Sequence, residues 1–153
     1  MPHFSTLIQV RSEAGCFRIS AARLRASASE ILRSLGRKNT GLGIFLVDDR
    51  GIRVLIRDYL GHDWPTDVIA LDYGKNRIFK ASPFLGDIAI SLETAKREAK
   101  RRGISIREEV HLYLCHGILH LLGYRDHNKK ERSRMWRKQS EILKRTGLSK
   151  AEG

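Results

Sequence analysis

Cysteine is scarce in this chain: Cys16 and Cys115 are the only two in 153 residues. Two thiols cannot build the framework that staples small secreted domains, so disulfides do not carry this fold. Long apolar runs are missing as well. No stretch approaches the ~20 residues needed to span a bilayer, and the longest candidate, residues 110–122, carries three histidines. The opening Met1-Pro2-His3-Phe4-Ser5 lacks the basic head and apolar run of a secretory signal. There is no internal repeat and no low-complexity linker. Acidic residues are the minority charge, 17 Asp and Glu against 29 Lys and Arg, for a net charge of +12. These absences point to a soluble protein of the reducing cytoplasm with no membrane partner.

What is present suits one domain over residues 1–153. A chain of this length buries roughly two-thirds of the surface its unfolded form exposes. Apolar residues make up 41% and charged residues 30%, an ordinary globular balance. The positive excess concentrates polyanions and speeds their encounter, which favours nucleic acid as a partner. The plainer reading of the same charge is a solubility device.

The patterning predicts a strand at residues 7–10, a helix over 19–35 with Ile19, Ala22, Leu24, Ile31, Leu32 and Leu35 at helical spacing, and a strand at 43–47. Asp48-Asp49-Arg50-Gly51 reads as a turn, and 52–60 as a helix with Val54, Leu55 and Tyr59 inward. Pro65 keeps Trp64 out of the helical region, and a strand follows at 68–71. Residues 73–83 read as a loop, 86–91 as a strand and 92–102 as a basic helix stopped by Gly103. Ser105 and Glu108 match a capping box that opens a helix over 106–122, closed by Gly123. Residues 129–145 form a charged last helix with Trp136, Ile142 and Leu143 as its apolar face. The order implies an α+β fold: a single mixed sheet of about four strands with helices packed on it.

Three of the six histidines fall within twelve residues. His116 and His120 are four apart on the predicted helix, so they share one face and can converge on an ion. His127 follows the stop at Gly123, where the chain can fold back with a third ligand. Three imidazoles with a fourth position left to water describe a catalytic zinc site, at which bound water ionises near a pKa of about 7. A lone histidine on an apolar helix is ordinarily a core residue with its own hydrogen-bond partner. Among Leu112, Leu114, Leu119, Leu121 and Leu122, each of these rings would need one, and a single metal satisfies all three.

The glutamate of the metalloprotease pattern H-E-x-x-H is absent, and Gly117 stands in its place. Glycine there leaves room for a nucleotide near the metal, or for a closely packed helix. His111, five before His116, lies on another face and reads as a non-ligand. Cys115 is turned from His116 by about 100° and reads as buried packing. His3 and His62 read as surface residues.

The run His116-Gly117-Ile118-Leu119-His120-Leu121-Leu122-Gly123-Tyr124-Arg125-Asp126-His127 resembles the motif of the YbeY family, bacterial single-strand-specific endoribonucleases that mature ribosomal RNA. Asp63-Trp64-Pro65-Thr66-Asp67-Val68 and Gly86-Asp87-Ile88-Ala89-Ile90-Ser91 resemble two further segments of that family in the same order. The resemblance implies an α+β fold and Zn2+, or another divalent transition metal, on His116, His120 and His127. It also implies single-stranded rRNA as substrate, a place in 16S rRNA maturation and ribosome quality control, and contact with the small ribosomal subunit. Metal-activated water would attack the phosphodiester.

Two departures stand out. The family carries five residues between the second and third ligands, and Arg125 makes six here. Leu60 occupies a position where the family has an arginine, with Arg57 one helical turn earlier as the candidate substitute and Arg125 as a second source of charge. Asp126 has three readings: it orients a histidine, acts as a base, or caps the last helix. Thr66 and Asp67 shape a turn or line the site. Basic residues cluster at Lys96, Arg97, Lys100, Arg101 and Arg102, and again at Lys129, Lys130, Arg132, Arg134, Arg137 and Lys138. Lys129, Lys130, Arg125 and Arg134 are the candidates for holding the RNA backbone, and Trp64 and Tyr73 for stacking bases. The rivals are a ribosome-associated RNA-binding assembly factor with a structural metal, and a small metalloprotease-like hydrolase.

Overall fold

The computed structural model describes residues 8–13, 19–60, 68–71 and 84–148. The elements are β1 (Ile8–Ser12), α1 (Ala21–Ser34), β2 (Gly41–Val47), α2 (Asp49–Leu60), β3 (Val68–Leu71), β4 (Phe84–Ser91), α3 (Leu92–Arg102), α4 (Ile106–Leu121) and α5 (Lys129–Arg145). The strands form one sheet in the order β1-β2-β4-β3. β1, β2 and β4 run parallel, and β3 pairs antiparallel to β4. The α+β expectation therefore holds, with a three-strand parallel array edged by one reversed strand.

Parallel strands covered on both faces need apolar residues throughout, and β2 (GLGIFLV) is buried along nearly its whole length. Its alternation divides two layers. Leu42, Ile44 and Leu46, with Ile88 and Ile90 of β4, join the larger core cluster, which includes residues of α1, α3, α4 and α5. Val47 and Ala89 join the smaller cluster with Ile52 of α2.

Helix α4 is the centre of the larger layer. It packs on α1, α3, α5, β3 and β4, and a helix so enclosed must be apolar on most sides. Gly117 allows a close approach to β4. A Cβ at this position would sit 3.0 Å from Cδ1 and Cγ2 of Ile88 and 3.1 Å from its Cγ1. Of the two readings of Gly117, the structure favours the closely packed helix, and a glutamate at this position has no room.

Several local expectations are corrected. The turn expected at 48–51 is the start of α2, because the Asp48 side chain accepts from the Gly51 N–H at 2.6 Å and its carbonyl from the Ile52 N–H at 3.0 Å. Within α2, Ile52 is buried and Leu55 half-buried, whereas Val54 is exposed. Ala22 is exposed, and α1 instead buries Leu24, Ser27, Ala28, Ile31 and Leu32. The buried face of α5 is Met135, Gln139, Ile142 and Leu143. Trp136, one position round the helix from Met135, is 55% exposed. The readings placed on Leu7, residues 61–67 and 72–83, His3, His62, Cys16, Trp64, Tyr73, Thr66 and Asp67 lie outside the described residues, as do the side chains of Tyr59 and Leu60.

Candidate metal centre

Helix α4 starts where the capping box predicts. Ser105 Oγ accepts from the Glu108 N–H at 3.1 Å, and Glu108 Oε1 accepts from the Ser105 N–H at 3.4 Å. The sixteen-residue helix that follows brings His116 and His120 to its half-buried rim, four residues apart. Their rings meet edge-on, with centroids 4.5 Å apart and planes at 83°.

The end of the helix secures one ring. Gly123, at φ 102°, lets the chain turn back, and the Tyr124 N–H bonds to the Leu119 carbonyl at 3.0 Å. The Tyr124 carbonyl then lies 3.1 Å from His120 Nδ1. A carbonyl only accepts, so Nδ1 carries the proton and Nε2 keeps its lone pair. Helix α5 secures the other ring. Gln139, a polar residue within the buried stripe of α5, places Oε1 3.2 Å from His116 Nδ1, which assigns the same tautomer to His116.

Both Nε2 atoms therefore present lone pairs, and they lie 3.0 Å apart. Asp126 Oδ2 sits 3.4 Å from His120 Nε2 and 3.7 Å from His116 Nε2. Three acceptors so close repel one another unless a cation lies among them. His116, His120 and Asp126 form a set whose donor atoms all lie within 4.8 Å of one another, and His127 is not a member of it. His127 is exposed, and its backbone N–H donates to Glu131 Oε1 at 3.2 Å. The cap of α5 is Asn128, whose Oδ1 accepts from the Glu131 N–H at 2.8 Å, so Asp126 is not the cap.

His111 belongs elsewhere. Its Nε2 is 2.9 Å from Ser27 Oγ of α1, and burial lowers its pKa. Cys115 is fully buried, and burial pushes its thiol up to about 12, so it is no thiolate ligand at neutral pH.

Arg57 is exposed in the last turn of α2, a helix seated on the smaller cluster, whereas α4 is seated on the larger. The two basic groups differ in kind. In α3, Arg97 pairs with Asp49 at 2.8 Å, Arg101 with Glu98 at 2.5 Å, and Arg102 with the buried Glu109 at 3.5 Å. Arg125, Lys129, Lys130 and Arg134 are exposed and form no ion pair among the described residues. Arg125 and Arg134 line a recess of about 360 Å³ with Leu122, Gly123, Tyr124 and Glu131, next to the turn that holds His120. Sequence reasoning missed Gln139 and the Tyr124 carbonyl. Gln139 had a signal, since it occupies a core position of the α5 periodicity shared with Met135, Ile142 and Leu143.

Comparison with known proteins bears on the family and the fold. The family model described as Endoribonuclease YbeY matches residues 9–147. The chain is 39% identical over 141 residues to an endoribonuclease YbeY of Anaeromyxobacter sp., covering 92% of this chain and 72% of that protein. It is 41% identical over 129 residues to an endoribonuclease YbeY of Geobacter sulfurreducens, covering 82% of this chain and 85% of that one. The solution structure of a Thermotoga maritima protein superposes with a TM-score of 0.60 at 21% identity, over 91% of this chain and 87% of that one. At that identity the likeness concerns the fold alone.

Proposed function

The chain belongs to the YbeY endoribonuclease family, and we propose on that footing that residues 1–153 act as one metal-dependent endoribonuclease domain. It cuts single-stranded rRNA during 16S rRNA maturation and ribosome quality control, in the cytoplasm and in contact with the small ribosomal subunit. Among the described residues no helix is long and apolar enough to cross a membrane.

The observation that carries the reading is the convergence of two Nε2 lone pairs and a carboxylate oxygen. Both Nδ1 atoms are already committed, to Gln139 and to the Tyr124 carbonyl. This donor chemistry fits a divalent ion, with zinc as our choice and another transition metal as the alternative. His116 and His120 hold it, and the corner formed by Asp126 and His127 supplies the third donor. When bound, such an ion acts as a Lewis acid toward a phosphoryl oxygen and makes hydroxide available at neutral pH.

The protein's own groups position the substrate. Arg125 and Arg134, lining the recess beside the histidine turn, take phosphates of the RNA strand. Lys129 and Lys130, exposed in the first turn of α5, extend that charge. These contacts orient the backbone without reading its sequence. Arg57 is kept as a candidate for a further phosphate contact. A carboxylate at Asp126 that does not ligate the ion is placed to take a proton from water.

The test is cleavage of a single-stranded rRNA fragment by the purified protein, beside a chelated sample and His116→Ala. Cleavage is expected to vanish in both controls while circular dichroism shows the variant folded. Binding without cleavage in any divalent metal would reject the nuclease and favour an assembly factor.

A further inference from the structure

We propose that Asp126, and not His127, is the third protein ligand, so that the centre is two imidazoles and one carboxylate. The proposal rests on the metal-centre reading above and specifies it. Zinc binds imidazole nitrogen at about 2.0–2.1 Å and carboxylate oxygen at about 2.0–2.2 Å, and tetrahedral angles then separate neighbouring donors by roughly 3.3–3.5 Å. The three separations in the structure are 3.0 Å between the Nε2 atoms, and 3.4 Å and 3.7 Å from these to Asp126 Oδ2. They bracket that value, and small rotations of three half-exposed side chains bring them to it.

The backbone explains why this residue enters. The left-handed Gly123 and the Tyr124 carbonyl on His120 direct the chain back over the end of α4. Arg132 Nη1 reaches the Asp126 carbonyl at 3.5 Å, Glu131 takes the His127 N–H, and Asn128 opens α5 immediately afterwards. Residues 126–128 are thus tied from the α5 side, with Asp126 against the histidines and His127 exposed. By count, Asp126 is the sixth residue after His120, and Arg125 is what displaces His127 by one.

The chemistry changes with the ligand. A carboxylate leaves the centre one unit of charge lower than a third neutral imidazole would. It also moves the donor set toward ions that accept oxygen, zinc, manganese and ferrous iron, and away from copper and nickel.

The experiment titrates Zn2+ into the full chain against a chromophoric chelator, with the Co2+ absorption spectrum as a second readout and circular dichroism as the folding control. The variants are His116→Ala, Asp126→Ala, Asp126→Asn, Asp126→His and His127→Ala. Asp126→Ala and Asp126→Asn are expected to bind zinc at least tenfold more weakly, His127→Ala within twofold of the unaltered chain, and Asp126→His to restore binding with an altered Co2+ spectrum. Loss in His127→Ala with retention in Asp126→Ala would overturn the Asp126 assignment and leave the metal centre standing. An unaltered chain that binds zinc no better than His116→Ala would overturn both.

Discussion

A single methyl group at position 117 is expected to destabilise this protein, against the usual effect of replacing a helical glycine by alanine. In an open helix that change gains about 1 kcal/mol. Here the new Cβ would meet Ile88 Cδ1 and Cγ2 at 3.0 Å and Cγ1 at 3.1 Å, whereas relaxed carbon contacts lie at about 3.5–4.0 Å. Ile88 is fully buried on the interior strand β4, between β2 and β3, so it has little space into which to retreat. Overpacking of this kind costs roughly 1–3 kcal/mol. The net expectation for Gly117→Ala is a loss of about 1 kcal/mol, or a fall of roughly 2–4 °C in Tm for a chain of this size. Urea unfolding followed by circular dichroism measures it. Ile88→Val removes the Cδ1 atom and should cost about 0.5–1.5 kcal/mol alone, yet the double variant should be more stable than the sum by about 0.5 kcal/mol or more. A Gly117→Ala protein as stable as the original, with strictly additive effects in the pair, would refute the claim that close packing of α4 on β4 requires the glycine. Gly117→Glu, which restores the protease pattern, should fail to accumulate as folded protein.

Gln139→Leu removes the acceptor at His116 Nδ1 while keeping a side chain that suits the buried stripe of α5. Zinc affinity should fall about 10–100-fold with the melting temperature nearly unchanged, read by chelator competition and calorimetry on the same sample. His111 titrates with a lowered pKa in the folded state, chiefly through burial. Its contribution to stability is complete above the unfolded value near pH 6.5 and is lost as pH falls through the lower folded value. Urea midpoints should therefore drop as pH falls below about 6.5 more steeply than in His111→Gln. Cys115, fully buried with its thiol pushed up to about 12, should resist a thiol reagent at pH 8 in the native protein and react on addition of denaturant. Rapid labelling without denaturant would contradict its place in the core.

The features legible in the sequence were the local ones. The capping box at Ser105 and Glu108, the stop at Gly123, the four-residue spacing of His116 and His120, and the apolar run of β2 act over a few residues. Physics of that range is written in neighbouring letters. The family was legible for a related reason, since its motif lies on one helix and the turn after it. Errors arose where one position round a helix decides the face: Val54, Ala22 and Trp136 all lie beside the buried stripes rather than in them.

The remaining decisions needed the third dimension. Nothing near His116 in the chain names Gln139, 23 residues on, as the group that sets its tautomer. Gly117 was open to two readings until Ile88 was seen against it. The ring of His111 was settled by Ser27, 84 residues away. Spacing put forward His127 as the third ligand, because a loop can absorb one residue, whereas the structure sets Asp126 against the histidine pair. The choice rests on where α5 begins and what its first turn holds. Sequence determined which chemical groups were available and which helix carried them; tertiary packing decided which of them meet, because contact between distant segments depends on how helices seat on the sheet and not on the order of residues.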